Sequence, residues 1–252
     1  MSDLRQLIPW PIVKRYRHYL RDPYRKYKRS RKVMQQFELD DAKYALEFEY
    51  WNDRWHAEGG CLKNAHYEKI LLSMAGEEDQ EFLKDKVVAD FGCGPRGSLQ
   101  WADAARIRIG IDVLADLYGR FDIRSHDICY VTSSEKAIPL PGNYVEVLFT
   151  MNAMDHVYHF DELCAEVLRI IAPGGLFIAS FNLDEPPSYC EPQTLTEAIV
   201  ERHLLQHMDV QSYRIAPKGP GDDTYRYHFS ECDGADAGGA RILWVRAQVN
   251  GR

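Results

Sequence analysis

From Lys86 onward, short apolar runs alternate with segments of helical periodicity. The apolar runs predict four strands, at Val87–Phe91, Arg108–Asp112, Val145–Met151 and Gly174–Phe181. The periodicity predicts three helices between them, at about 98–106, 113–121 and 160–172, the last stopped by Pro173-Gly174-Gly175. Such alternation predicts βαβ units, and hence an α/β fold with a doubly wound, mostly parallel sheet and helices on both faces.

The two ends of the chain have a different pattern. Aromatic and apolar residues at helical spacing predict a helix from Val33 to about Ala57, ended by Gly59-Gly60, and a second from about Leu62 to Ala75. The last third combines a proline-containing loop with one helix and two strands, at 184–192, about 193–207, 210–215 and 241–249. We expect the two strands to form an antiparallel hairpin at the sheet edge, because a long loop joins them.

Charge separates the first residues from the rest. Residues 1–32 carry eleven Lys or Arg and two Asp, a balance of +9, whereas the other 220 residues carry −16, which together give the net charge of −7. Five aromatic residues lie among these charges. We call residues 1–32 the basic arm. Its composition is compatible with an anionic membrane surface, an acidic glycolipid, a nucleic acid, or the acidic body of its own fold.

Composition excludes several classes of protein. The chain has 252 residues, 45% hydrophobic and 27% charged, which is typical of a globular fold. No apolar run approaches the roughly 18 residues of a membrane span, and the N-terminus does not resemble a signal peptide, so we expect a cytoplasmic protein, peripheral to the inner face of a membrane if the arm binds there. The six cysteines form no C-x-x-C pair, and His203 and His207 lack the Glu of a zinc motif, so no metal is expected.

A glycine-rich loop follows the first predicted strand of the sheet. Gly92, Gly94 and Gly97 fit the pattern G-x-G-x-x-G, and Asp112 ends the next strand, where a ribose-binding carboxylate belongs. On its own this pattern is typical of NAD-dependent oxidoreductases too. Asp90 argues against a dinucleotide, because a carboxylate beside the loop would repel a pyrophosphate and attract a cationic ligand.

The loop and three later segments resemble the ordered motifs of class I S-adenosylmethionine (SAM) dependent methyltransferases, in the branch that methylates small molecules. The segment 90–97 resembles the first motif, Ile109–Asp112 the second and His126–Ile128 the third. The remaining half of the pattern is carried by 138–157 and 168–175. The resemblance covers about residues 85–182 and implies a seven-stranded Rossmann-like sheet with SAM as cofactor.

The resemblance also implies which residues bind the cofactor and how the chain is divided. The cofactor-binding residues are expected to be Asp90, Gly92, Gly94, Arg96, Gly97, Asp112, Val113, Asp127, Ile128 and Asn152. We expect a basic arm at 1–32 and a methyltransferase domain at 33–252. Within that domain, 33–84 form a helical cap, 85–182 the cofactor-binding core, and 183–252 the acceptor side.

The predicted chemistry is transfer of a methyl group to a hydroxyl of a small molecule or glycan. His156 follows the fourth strand at the carboxyl edge of the sheet, where it can remove the proton of the acceptor, with Asp155 to orient it and His159 as a nearby alternative. A purely pocket-shaping role for His156 stays open. The Asn/Asp-Pro-Pro-aromatic motif for nucleic-acid bases is absent, which disfavours bases as acceptors.

Two alternatives from other classes also stay open. One is an NAD-dependent oxidoreductase, which shares the glycine pattern. The other is a non-catalytic SAM-binding partner protein, because cofactor motifs can persist without turnover.

The charge of the basic arm generates a prediction. Deletion of residues 1–32 should abolish binding to anionic vesicles while SAM affinity stays within a few-fold, because the association comes from the +9 cluster. Vesicle co-sedimentation over a salt series measures this, and binding should weaken as salt rises. Salt-independent binding, or loss of folding on truncation, would show instead that the arm packs on its own domain.

Overall fold

The computed structural model describes residues 29–39, 41–219, 225, 228 and 239–251. Most of the basic arm, residues 1–28, lies outside these ranges. The described residues divide into two compact units, one up to Arg54 and one from Trp55. The first unit contains helix α1 over residues 29–37 and most of helix α2, Ala42–Ala57. The predicted boundary between 32 and 33 therefore lies inside α1.

An ion-pair network links α1 and α2 within the first unit. The Arg29 guanidinium lies 2.9 Å from a Glu49 carboxylate oxygen and 2.7 Å from Asp53. The single helix predicted from Val33 to Ala57 is interrupted at 38–41, where Glu38 has a positive φ of 55°.

The second unit is built around one seven-stranded sheet. Its strands are β1 Val87–Phe91, β2 Ile107–Asp112, β3 Cys129–Thr132, β4 Val145–Met151, β5 Ile171–Leu183, β6 Met208–Pro217 and β7 Arg241–Val249. Its α-helices are α3 His66–Ala75, α4 Phe160–Ile170 and α5 Glu197–His203. The spatial order of the strands is β3-β2-β1-β4-β5-β7-β6.

The pairing of the strands confirms the predicted doubly wound sheet. The pairs β1–β2, β1–β4, β2–β3 and β4–β5 are parallel, so the carboxyl ends of these strands meet at one edge. Strand β7 pairs antiparallel with both β5 and β6, which confirms the predicted C-terminal hairpin. Since β7 lies between β5 and β6, the outermost strand is β6, whose middle residues are exposed.

Two apolar layers cover the sheet, one on each face. On one face α4 and α5 bury Phe160, Leu163 and Val200 against the sheet together with Phe177. On the other face α3 buries Leu71 and Met74 against residues that include Val88, Phe149 and Trp244. Helices on both faces explain why β1 and β4 are runs of buried residues rather than alternating ones.

Several predicted elements differ in the structure. Residues 98–106, predicted as a helix, form turns with i→i−3 bonds such as Gln100 N to Gly97 O at 3.1 Å. The segment is too short for a helical crossover, because Arg106 N already bonds Lys86 O at the start of β1. The helix predicted at 113–121 is a 3₁₀-helix over Ala115–Phe121.

The later boundaries also shift. Strand β5 begins at Ile171 and continues through Pro173-Gly174-Gly175, so the helix before it ends earlier than predicted. Helix α5 is shorter than the predicted 193–207, since Thr196 caps its start through a bond from Ile199 N and the chain turns after His203. Within the described residues, no helix combines the length and apolar character needed to cross a membrane.

Candidate functional site

The glycine loop after β1 is held close to its neighbours by its backbone. Gly92 N donates to Ile111 O at 2.8 Å, and Gly92, Gly94 and Gly97 all have positive φ, at 72°, 57° and 74°. A Cβ on Gly92 would lie 2.1 Å from the Cβ of Ala153, so the loop touches the segment after β4. Glycine is required here both for the backbone conformation and for the close approach. Because turns follow the loop, a ligand meets backbone amides and not a helix N-terminus.

Asp112 is the hub of hydrogen bonds at this edge of the sheet. Its Oδ2 accepts from Gly94 N at 3.0 Å, and its Oδ1 accepts from Leu114 N at 2.9 Å and from the hydroxyl of Tyr118 at 2.8 Å. These contacts fix the carboxylate at the end of β2, beside the glycine loop. Val113, also predicted to bind the cofactor, lies half-buried in the turn that follows.

Asp90 is a buried carboxylate at the end of β1. Its side chain is 1% exposed, and one carboxylate oxygen accepts from the Ser98 hydroxyl. Burial raises the pKa of Asp90 to about 7, since the charged form is poorly solvated there, and the nearby Asp112 charge adds to the effect. The buried state of Asp90 therefore favours a cationic or hydrogen-bond-donating ligand.

Buried acceptor oxygens at this edge test whether the residues suit SAM. Asp90 Oδ1 and Asn152 Oδ1 have no hydrogen-bond partner in the part of the chain that the structure describes. Asn152 is held by a bond from its backbone N to Ser180 O at 3.0 Å, with a φ of 47°. An unsatisfied buried acceptor costs about 1–3 kcal/mol, so such atoms mark a place for ligand donors. The ammonium group and ribose hydroxyls of SAM are such donors, and the residues present fit the cofactor.

Arg96, predicted to bind the cofactor, is engaged with the segment before α3. Its guanidinium lies 2.5 Å from Glu58 and donates to Lys63 O at 2.7 Å. The hydrogen bond from Arg96 lowers the pKa of Glu58 to about 2. In this arrangement Arg96 anchors the glycine loop to residues 58–63.

The prediction that Asp127 and Ile128 lie beside the adenine is wrong in its placement. Both precede β3, whose first residue, Cys129, pairs with Ile109 near the start of β2. They therefore lie at the amino edge of the sheet, opposite Asp112, and Asp127 forms an ion pair with Arg108. The carboxyl end of β3 is instead Thr132, whose hydroxyl accepts from Asp116 N at 3.1 Å. The strand begins later than the third motif suggested.

The structure brings two of the three predicted catalytic residues together with a glutamate. Asp155 and His156 lie in the 3₁₀ turn Met154–His156 after β4, and His156 Nε2 is 3.6 Å from Glu191 Oε1. Asp155 is 3% exposed, and its Oδ2 accepts from Asn182 Nδ2 at 2.8 Å. The three side chains Asp155, His156 and Glu191 are called the edge cluster below. His159 is not part of it.

His159 lies at the start of α4, where its Nδ1 is 3.7 Å from Glu162 Oε1 in an exposed pair. The loop between β5 and α5 places Glu191 opposite His156. Glu191 N bonds Ser188 Oγ at 3.0 Å and Glu191 O accepts from Ser188 N at 2.8 Å, which forms a tight turn. Gln193 Nε2 bonds Val157 O at 2.6 Å and so ties the loop to the segment after β4.

Sequence reasoning missed several residues of this edge. Glu191 was included only as a member of the 184–192 loop, and Ser98, Tyr118 and Asn182 were not singled out. Of these, only Asn182 carried a signal, as a polar residue near the end of a buried strand. Tyr225 is another: burial raises the pKa of its phenol, and Asp90 and Asp155 are close enough to contribute.

Comparisons with known proteins agree with the motifs. A family model described as a methyltransferase domain matches residues 89–179. A protein of Mycobacteroides abscessus named as an uncharacterized methyltransferase is 32% identical over 107 residues, 40% of this chain and 41% of that protein. The ubiquinone/menaquinone biosynthesis C-methyltransferase UbiE of Stutzerimonas stutzeri is 29% identical over 120 residues, 46% of this chain and 43% of that protein.

A comparison with solved structures supports the fold. A SAM-dependent methyltransferase from Mesorhizobium loti superposes with a TM-score of 0.51 at 16% identity, over 66% of this chain and 92% of that one. This chain spans less than half the length of the curated relatives that it matches. The ordered motifs, the sheet order and the matched family model together show that residues 89–179 are a methyltransferase domain of the class I SAM-dependent family.

Proposed function

We propose that the protein is a SAM-dependent methyltransferase that methylates a hydroxyl of a small molecule or glycan. The observation that carries the proposal is the imidazole of His156 at the carboxyl edge, between a buried carboxylate and Glu191, next to the segment that touches the glycine loop. When bound, SAM supplies a methyl group already activated on a sulfonium. The protein must therefore align the acceptor and remove its proton.

The cofactor is assigned to the edge formed by β1, β2 and β4. Asp112, held by Gly94 N and Tyr118, would accept from the ribose hydroxyls. Asp90 and Asn152 offer unpartnered oxygens to an ammonium group. Gly92 and Gly97 would keep the loop backbone close to the ligand. Such charge-assisted bonds contribute about 1.5–3 kcal/mol each.

The acceptor is assigned to the space beside the edge cluster. His156, whose side chain is 33% exposed, would accept the proton of the acceptor, and Asp155 and Glu191 would orient the ring. Asp155 Oδ1 and Asn182 Oδ1 lack partners among the described residues. Buried acceptor oxygens favour a ligand rich in O–H or N–H donors, as a polyhydroxy compound or glycan is.

A second candidate is methylation of carbon. The relative UbiE is named as a C-methyltransferase, and a carbon acceptor also loses a proton when the methyl arrives. The same residues would serve that reaction. A screen for S-adenosylhomocysteine formation over hydroxyl and carbon acceptors distinguishes the two, and turnover with either excludes a non-catalytic SAM-binding protein.

Asp112→Ala should weaken SAM binding about tenfold or more in calorimetry, because bonds to both ribose hydroxyls are lost. Tyr118→Phe is the matched control: it removes one protein bond to Asp112 and keeps the carboxylate, so SAM affinity should stay within a few-fold. NAD should not bind the wild type. Equal affinity for SAM in Asp112→Ala and wild type would remove the ribose assignment.

Asp90→Asn should stabilise the free protein while weakening SAM binding. The folded pKa of about 7 lies above the ordinary 3.8, so wild-type stability falls as the pH rises from about 4 to 7 and is lowest above 7. At about 1.4 kcal/mol per unit, the isosteric neutral variant gains up to about 4 kcal/mol at pH 8 and much less at pH 5. Denaturant unfolding at both pH values measures this. A pH-independent difference would contradict a buried titrating Asp90.

His156→Gln should lower the methyl-transfer rate by about 10²- to 10⁴-fold, the usual contribution of general-base assistance, with SAM affinity near normal. Single-turnover rates with the acceptor found in the screen, alongside SAM calorimetry, measure both quantities. His159→Gln is the control, because its ring pairs with Glu162 outside the edge cluster. If activity is unchanged, or falls in proportion to SAM binding, His156 only shapes the pocket.

A further inference from the structure

The edge cluster has the composition and spacing of a cation site. One ring nitrogen of His156 and one carboxylate oxygen each from Asp155 and Glu191 all lie within 4.8 Å of one another. The three residues come from two separate segments, the turn after β4 and the loop after β5. Imidazole and carboxylate groups together are the ligands of first-row divalent cations.

An independent observation at Asp155 points to a ligand. This side chain is 3% exposed, and its Oδ1 has no hydrogen-bond partner in the described part of the chain. Asn182 Nδ2 donates to the other oxygen, Oδ2, at 2.8 Å. A second residue thus fixes the orientation of the carboxylate, as the outer partners of metal ligands do. A buried carboxylate oxygen without a donor is costly unless something positive binds it.

The surroundings add negative charge and little to balance it. Burial raises the pKa of Asp155 and also that of Glu191, and the Asp155 charge raises the pKa of Glu191 further. Glu185 also lies near both, although Lys218 Nζ binds Glu185 at 2.5 Å. Crowding of buried carboxylates around one imidazole is relieved by a bound cation.

We propose that Asp155, His156 and Glu191 bind a divalent first-row cation, Mn²⁺ or Zn²⁺, on the acceptor side of the active site. Three protein ligands leave coordination positions open, as in catalytic rather than structural metal sites. The place of the acceptor in this inference rests on the proposed function, whereas the binding of the cation does not.

A bound cation changes how the acceptor loses its proton. The lone pair of His156 then binds the cation and no longer takes a proton. An acceptor oxygen in an open position is polarised by the cation, its O–H bond breaks, and the proton passes to water while the oxygen attacks the methyl carbon. No electrons are exchanged with the cation. An acceptor with two neighbouring oxygens would suit the open positions best.

Titration of the chelator-treated full chain with Mn²⁺ alone, without SAM or acceptor, tests the proposal. We expect one bound Mn²⁺, displaced by Zn²⁺, and binding about 10- to 100-fold weaker in Glu191→Gln. Glu162→Gln is the matched control, because Glu162 forms a similar pair with His159 but has no buried carboxylate beside it. Absence of binding to the wild type, or equal weakening in both variants, would overturn the proposal.

Location is measured separately, so that a variant that fails to fold does not decide the result. In the wild type, substoichiometric Mn²⁺ should broaden the imidazole NMR signal of His156 before those of His203 and His207. Broadening of the other histidines first would place the cation elsewhere and overturn the proposal. Because neither measurement uses SAM or turnover, a negative result here leaves the methyltransferase proposal standing, and an inactive protein that binds Mn²⁺ contradicts only the latter.

Discussion

The carboxylate of Asp112 holds the functional edge of this protein together. Through bonds to Gly94 N, Leu114 N and the Tyr118 hydroxyl, one side chain connects the glycine loop, the end of β2 and the 3₁₀-helix that follows. The loop can adopt this arrangement only because Gly92 and Gly94 accept positive φ and because nothing but hydrogen separates Gly92 from Ala153. Asp112 therefore has a structural role before any ligand arrives, and ligand binding uses a group that is already oriented.

The edge also contains carboxylates that the fold alone does not explain. Asp90 and Asp155 are almost fully buried, and each has an oxygen without a donor among the described residues. Burial without a partner lowers the stability of the folded chain, and a protein retains such groups where a ligand supplies the missing interaction. The two aspartates follow different strands, β1 and β4, and so mark two neighbouring places, one for the cofactor and one for the acceptor.

The turns at 98–106 change how the glycine loop can recognise a ligand. In many nucleotide-binding folds a helix follows such a loop, and its N-terminus favours phosphate groups. Here no helix follows, and the nearest charges are the carboxylates of Asp90 and Asp112. The site is therefore suited to a ligand with a positive centre and hydroxyl donors, and poorly suited to a pyrophosphate.

The order of the elements and the chemistry of the loop could be predicted from the chain alone, because they depend on local pattern. The bounds of β1, β4 and β7 followed from continuous apolar runs, and the role of the loop from glycines next to Asp90. Tertiary structure decided three other matters. The register of β3 moved Asp127 to the opposite edge, the short connection between β1 and β2 replaced a helix by turns, and the loop after β5 placed Glu191 against His156. Each depends on contacts between residues far apart in sequence, which periodicity and spacing do not encode.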